Sequence, residues 1–109
     1  MAMLDLNPSH LRIVLDALAT CAPAAEVWAY GSRVTGTAHE GSDLDLILRN
    51  SKNPDSAQHN LPALKNAFEE SHLPILVDVL DWAHLPESFR REIERVHVIL
   101  QEPNPVHAE

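Results

Sequence analysis

The chain has 109 residues, of which 45% are apolar, and a formal net charge of −8, which allows one compact domain with a modest core. The acidic balance argues against a dedicated nucleic-acid-binding protein, which would normally carry a basic face, and is compatible with a basic protein partner. The chain has no apolar run near the roughly 20 residues that cross a bilayer and no signal-peptide pattern at its start, so we expect a cytoplasmic protein without membrane contact. Its single cysteine, Cys21, leaves no partner for a disulfide within the chain.

A helix is predicted near the start of the chain. Asn7 precedes Pro8, which is the arrangement of a side-chain cap followed by proline at the first helical position. The helix should end near Cys21, before Pro23. Apolar residues recur between these points with the i, i+3, i+4, i+7 spacing of a buried helix face: Leu11, Val14, Leu15 and Leu18.

Two short strands are predicted on either side of a turn of small residues. The first strand covers residues 26–30 and is broken by Gly31 and Ser32. One or two turns of helix follow over residues 33–38, and the second strand covers residues 43–49. The polar segment after this strand is too short to link two domains.

The second half of the chain continues the alternation of helices and strands. A helix is expected from about Leu61, with Pro62 tolerated in its first turn. Residues 74–80 are apolar and β-branched except for one acid, which predicts a third strand, central and buried. Pro86 opens another helix, and residues 96–100 form either a final strand or the end of that helix; the face of this helix is predicted to be Phe89, Ile93 and Val96.

This order of elements predicts an α/β (α+β) fold, with a small mixed β-sheet flanked by helices. We assign residues 1–100 to a single domain and residues 101–109, which include two prolines, to a flexible C-terminal tail.

Three acidic residues are the strongest indication of chemistry. Asp43 and Asp45 share one face of the second strand, opposite a row of Leu and Ile, because strand side chains alternate sides. Two neighbouring carboxylates repel, and a divalent cation relieves that repulsion. Asp78 lies between two valines, where an acid is costly unless it is paired or bound to metal, although Asp81 is an alternative ligand. If the two strands are neighbours, three carboxylates converge and could hold two Mg²⁺ ions roughly 3.5–4 Å apart.

The turn before the second strand has the composition of a phosphate-binding loop. Gly31 would allow a phosphate close to the backbone, and the amides of the following helical turn would face the anion. Ser32 could donate its hydroxyl, and Arg33 could add a charged contact. Plainer interpretations remain, because Gly-Ser turns are common, an Asp-x-Asp pair is often a solvent-facing edge, and Arg33 could pair with Glu40 or lie in solvent.

The combination of these motifs resembles the nucleotidyltransferase superfamily that includes DNA polymerase β. It is similar in particular to the minimal nucleotidyltransferase (MNT) branch, although Val34 replaces a frequent alanine. The resemblance implies a polymerase β-like fold, two Mg²⁺ ions and a nucleoside triphosphate. It also implies roles for seven residues: catalysis and metal binding for Asp43, Asp45 and Asp78, and nucleotide or phosphate binding for Gly31, Ser32, Arg33 and Ser42.

The same resemblance implies an activity and a partner. Proteins of the MNT branch are commonly partnered with a HEPN protein, and the pair resembles a toxin–antitoxin system in which the MNT chain, as the antitoxin, transfers AMP from ATP to the HEPN-type toxin. The reaction is an in-line attack on the α-phosphate with release of pyrophosphate. Two alternatives stay open: a non-catalytic antitoxin that neutralises its partner by contact, and an adenylyltransferase acting on a small molecule or an RNA end. The choice of ATP comes from the resemblance alone, since no residue pattern in the chain identifies the base.

Overall fold

The computed structural model describes residues 2–103, which fold around one four-stranded sheet. The strand order is β3-β2-β1-β4, with β2 and β3 parallel and the other pairs antiparallel, so the predicted small mixed sheet flanked by helices is confirmed. The elements in chain order are α1 (Pro8–Cys21), β1 (Glu26–Tyr30), α2 (Ser32–Thr35), β2 (Leu44–Arg49), α3 (Leu61–Glu69), β3 (Val77–Asp81), a 3₁₀ turn (Trp82–His84), α4 (Glu87–Arg95) and β4 (Val98–Gln101).

The sheet has a core on each face. The larger core lies between the sheet and helices α1 and α3, and its fully buried side chains include Val14, Leu18, Val27, Leu46 and Leu64. The smaller core lies on the other face, beneath α4 and the 3₁₀ turn, and consists of Trp28, Tyr30, Ile47, Trp82 and Ile93. The alternation along β2 therefore differs from the prediction in one respect. The leucines face away from Asp45, but Ile47 shares its face.

The local signals in the first half of the chain predicted the elements well. The side chain of Asn7 caps α1 by accepting a hydrogen bond from the backbone amide of Ser9 at 2.8 Å, and Pro8 occupies the first helical position. Strand β1 has the predicted bounds, and β2 begins one residue later than expected. The expected helical segment after Ser32 is a single turn that ends at Thr35.

Strand β3 differs from the prediction of a central, buried strand. It is an edge strand, begins at Val77 rather than at residue 74, and leaves Asp78 exposed. The apolar run misled because Leu73 and Ile75, which precede the strand, pack against the larger core as irregular chain. Apolar composition reports burial, and here the burial begins before the backbone pairing does.

The last elements resolve the alternative left open at residues 96–100. Helix α4 ends at Arg95, and Val98–Gln101 forms β4, which pairs with β1. Val96, predicted on the helix face, follows the helix and is 41% exposed. The side chain of Gln101 donates to the carbonyl oxygens of Ala22 and Ala25 at 2.8 and 2.9 Å.

The domain boundary at residue 100 stays a prediction. Gln101, assigned to the flexible tail, belongs to β4, whereas residues 104–109 of that tail lie outside the described part of the chain. Within residues 2–103, no helix is long and apolar enough to span a membrane.

Candidate active site

The pairing of three strands brings the predicted carboxylates together at one level of the sheet. Asp45 on β2 is in register with Tyr30 on β1 and with Asp78 on β3. Residues in register on neighbouring strands place their side chains on the same face. Asp43 precedes Asp45 by two positions and is exposed just before β2 begins. The site is therefore a row in which Asp45 lies between a tyrosine and a second carboxylate.

Burial and mutual repulsion perturb the acidic groups of this row. The pKa of Asp45 is raised, first by burial and then by the charges of Asp78 and Asp43. The pKa of the Tyr30 hydroxyl is also raised, by burial and then by Asp45 and Asp78. Both shifts disfavour additional negative charge at this position. A bound cation would favour the ionised form of Asp45.

The donor set fits a hard divalent cation. Carboxylate oxygens are the ligands that Mg²⁺ prefers, and Asp45 is electrostatically coupled to both other acids. No three His, Cys, Asp or Glu side chains within the described residues 2–103 form a ready-made metal-binding group. The pairing of β2 with β3 places Asp45 and Asp78 next to each other. Joint metal binding by Asp43, Asp45 and Asp78 stays a prediction.

The glycine of the Gly-Ser turn is fixed by the carboxylate row. Gly31 has φ 80° and ψ −155°, a backbone conformation that is almost restricted to glycine. A Cβ atom at this position would collide with Oδ2 of Asp45. The absence of a side chain therefore lets β1 turn into α2 directly against Asp45. Ser32, the first residue of α2, follows immediately, so the predicted phosphate-binding turn adjoins the predicted metal ligands.

Arg33 is buried, whereas the candidate residues Asp43 and Asp78 are exposed. Its guanidinium group is buried, with the residue 6% exposed, and donates to backbone carbonyls. Nε and Nη2 donate to the carbonyl of Ser42 at 3.0 and 2.8 Å, and Nη1 donates to that of Asp5 at 2.8 Å. Nη2 also contacts the carbonyls of His39 and Glu40 at 3.4 and 3.0 Å. These bonds engage all three guanidinium nitrogen atoms, and the phosphate-binding role of Arg33 stays a prediction.

The hydrogen bonds of Ser42 are to His39 and Arg33, and its nucleotide-binding role stays a prediction. Its hydroxyl accepts a hydrogen bond from the backbone amide of His39 at 2.9 Å, and its carbonyl receives Arg33. Ser42 thus shapes the loop that leads to Asp43. The pairing of Arg33 with the Glu40 side chain, considered from the sequence, is replaced by a bond to the Glu40 carbonyl.

Asp81, the alternative third acid, is separate from the carboxylate row. It is 7% exposed and ends β3 on the face opposite to Asp78, because the two residues are three positions apart. Its carboxylate accepts hydrogen bonds from the backbone amides of Ala83 at 3.1 Å and Gln58 at 2.8 Å. Asp81 therefore caps the 3₁₀ turn and anchors the segment before α3.

Two cavities open beside the row, one on each side. A cavity of about 380 Å³ at the edge strand includes Asp43, Asp78 and Lys65 in its lining. A cavity of about 340 Å³ adjoins the glycine turn and is walled by α4; its lining residues are Tyr30, Gly31, Thr35, Phe89, Glu92, Ile93, Arg95 and Val96. The contribution of α4 had no local signal in the sequence, since its residues lie about sixty positions after the turn.

Comparisons with known proteins agree with this geometry. The family model described as "Polymerase beta, Nucleotidyltransferase" matches residues 17–105. A Haemophilus influenzae protein described as "Probable protein adenylyltransferase MntA" is 45% identical over 101 residues, which cover 93% of this chain and 87% of that protein. A solved structure described as "Crystal structure of the toxin-antitoxin with AMP-PNP" matches with a TM-score of 0.66 and 18% identity, over 87% of this chain and 75% of the other. At that identity, the last match shows a shared fold.

Proposed function

The chain belongs to the polymerase β nucleotidyltransferase family, and from this premise we propose that it is a Mg²⁺-dependent enzyme that transfers AMP from ATP to a HEPN-type toxin partner. The single observation that carries the proposal is the in-register placement of Asp45 and Asp78 beside the Gly31 turn. The name of the Haemophilus influenzae relative supports a protein as the acceptor.

In the proposed reaction, each residue of the site has a defined task. Asp43, Asp45 and Asp78 would hold Mg²⁺, which supplies neutralisation of phosphate charge when bound. The Gly31 backbone and the Ser32 hydroxyl would orient the β- and γ-phosphates. The acceptor hydroxyl attacks the α-phosphorus as its proton moves toward Asp78, and the bond to the pyrophosphate oxygen breaks. Most of the rate enhancement would come from positioning and from charge stabilisation.

The acceptor in this proposal is presented by another molecule. Residues 2–103 form one sheet with its covering helices, and this described part contains no second domain to hold an acceptor. The net charge of −8 would steer a basic protein toward the site. Both features support a complex with a basic toxin in the cytoplasm, where ATP and Mg²⁺ are available.

Transfer of radiolabelled AMP tests the proposal. We expect the protein, its toxin partner, Mg²⁺ and [α-³²P]ATP to give a labelled toxin. Asp43→Ala and Asp45→Ala should abolish the label, whereas Asp16→Asn, which changes an exposed acid of α1, should not. A folded wild-type protein that leaves its partner unlabelled would refute the proposed activity.

The contact-only antitoxin is the second candidate, and exposed apolar residues favour it. Leu76, just before edge strand β3, is 73% exposed, and Ile99 on edge strand β4 is 49% exposed. Each lies at an edge of the sheet, and such an edge can pair with a strand of a partner protein. In this alternative, the Asp45→Ala variant still protects cells from the toxin. Loss of protection in that variant, with toxin binding intact, would exclude it.

A further inference from the structure

We propose that Arg95 of α4 binds the terminal phosphates of the nucleoside triphosphate and so forms the cationic wall of the site. This inference rests on the proposed function, because it deepens the assignment of the same site. It gives to Arg95 the charged phosphate contact that the sequence pattern assigned to Arg33.

The need for such a residue follows from charge. A triphosphate brings several negative charges to a site that already contains three carboxylates. Bound cations offset part of this repulsion. The terminal phosphates of the nucleotide still favour a contact with an arginine side chain. Arg33, the nearest arginine in sequence, is buried and engaged by backbone carbonyls.

Arg95 lies at the cavity beside Gly31, where a cationic contact to the phosphates would be needed. It lines the cavity of about 340 Å³ together with Gly31 and Thr35. It also lines an adjoining cavity of about 410 Å³ with Thr35 and Val96. Of the Lys and Arg residues between positions 2 and 103, Arg95 is the one that lines the cavity beside Gly31. Helix α4, which packs on the smaller core, thus places Arg95 at the cavity beside Gly31.

The contacts of Arg95 leave its guanidinium group available for a ligand. The side chain is 77% exposed, and its Nη1 atom forms a long ion pair with Oε2 of Glu92 at 3.5 Å. Two other arginines are committed to structure: Arg49 pairs with Glu26 and stacks on Trp28, and Arg90 donates to the Trp82 carbonyl. Lys65 lines the cavity on the other side of the carboxylate row.

Glu92 provides a second, opposite expectation. It lines the same cavity and holds Arg95 from one side, so its charge competes with the phosphates for the guanidinium group. Neutralising Glu92 should therefore strengthen triphosphate binding, and should do so only while Arg95 is present.

The test measures affinity by calorimetry with Mg²⁺ and two probes, AMP-PNP and AMP. A charged hydrogen bond to phosphate corresponds to roughly a 10- to 100-fold change in affinity, so Arg95→Ala should weaken AMP-PNP binding by about that factor. AMP, which lacks the terminal phosphates, should bind the variant with less than about a twofold change. Glu92→Gln should bind AMP-PNP more tightly than the wild type, and adding Arg95→Ala to it should remove the gain.

Arg91→Ala is the matched control. Arg91 lies on the same helix, is 73% exposed and pairs with Glu87 at 4.0 Å, but it does not line the cavity beside Gly31. It should bind AMP-PNP as the wild type does. Equal AMP-PNP affinity in Arg95→Ala and Arg91→Ala would overturn the inference, as would an equal loss for AMP-PNP and AMP. A folded wild-type protein that binds neither probe would instead refute the proposed function itself.

Discussion

Arg33 illustrates how a residue of a functional motif can act through structure. A buried guanidinium group is costly unless its donors are satisfied, and here four backbone carbonyls receive them: those of Asp5, His39, Glu40 and Ser42. The bonds connect the segment before α1, the end of the Gly-Ser turn and the loop that precedes Asp43. Arg33 therefore fixes the spacing between the Gly-Ser turn and Asp43 through its bonds to backbone carbonyls.

This role predicts that Arg33→Ala destabilises the fold. Loss of several charge-assisted hydrogen bonds should lower the free energy of unfolding by about 3 kcal/mol or more, as measured by urea denaturation. Arg12→Ala, at an exposed position of α1, should change it by less than about 0.5 kcal/mol. A stable Arg33→Ala protein with weakened AMP-PNP binding would instead point to a direct phosphate contact.

Gly31 and Gly36 provide a matched pair for the glycine turn. Both have positive φ, at 80° and 85°, but a Cβ atom at Gly31 would collide with Asp45, whereas at Gly36 it would meet no atom within 4 Å. Gly36→Ala should cost only the backbone strain, about 1–2 kcal/mol. Gly31→Ala should cost more and displace Asp45, so it should also reduce AMP transfer. Equal losses of stability and activity in the two variants would contradict the close approach of Gly31 to Asp45.

At the scale of the element, β3 places its two acids in different environments. Asp78 is exposed on the face of the carboxylate row, and Asp81, three residues later, is buried on the other face. Asp81 accepts two backbone amides, which lets the chain pass from β3 into the 3₁₀ turn and holds the segment before α3. The role of Asp81 is thus structural, whereas the proposed role of Asp78 is in catalysis.

The two acids should therefore give opposite results when they are removed. Asp81→Ala leaves two backbone amides without their acceptor and should lower the free energy of unfolding by about 2 kcal/mol, with transfer preserved in the folded protein. Asp78→Ala should leave thermal stability unchanged and abolish AMP transfer. Melting curves and the transfer assay on the same samples measure both effects. A catalytic loss in folded Asp81→Ala, with Asp78→Ala active, would reverse the assignment.

Local sequence signals predicted those elements whose cause is local. Asn7 and Pro8 start α1 by capping and by a preset φ angle, and Gly31 breaks β1 because its backbone conformation excludes other residues. The edge position of β3 could not be predicted, because it depends on whether another strand pairs with its outer side, which the residues of β3 do not indicate. The role of Arg33 was also hidden, since its acceptors are carbonyls that every residue carries. The proposed contribution of Arg95 depends on α4, which lies about sixty residues after the Gly-Ser turn in the sequence but beside it in the fold.

At the scale of the whole molecule, the two faces of the sheet serve different purposes. The larger core, with α1 and α3, contains most of the fully buried side chains, and it lies on the face away from Asp45. The smaller core contains Tyr30 and Ile93 and supports the cavity beside Gly31. Stability thus depends on both cores, whereas ligand binding should depend mainly on the smaller one.

A pair of cavity-forming substitutions tests this division. Leu64 in α3 is 0% exposed and Ile93 in α4 is 2% exposed, so each change to alanine should lower the free energy of unfolding by about 2–4 kcal/mol. Only Ile93→Ala should weaken AMP-PNP binding, because the lost packing under α4 would let the helix move and displace Arg95 from the cavity beside Gly31. Affinity is measured by calorimetry at a temperature where circular dichroism shows both variants fully folded. A comparable loss of affinity in Leu64→Ala would mean that the larger core also sets the geometry of the site, since the four-stranded sheet would then transmit packing changes from one face to the other.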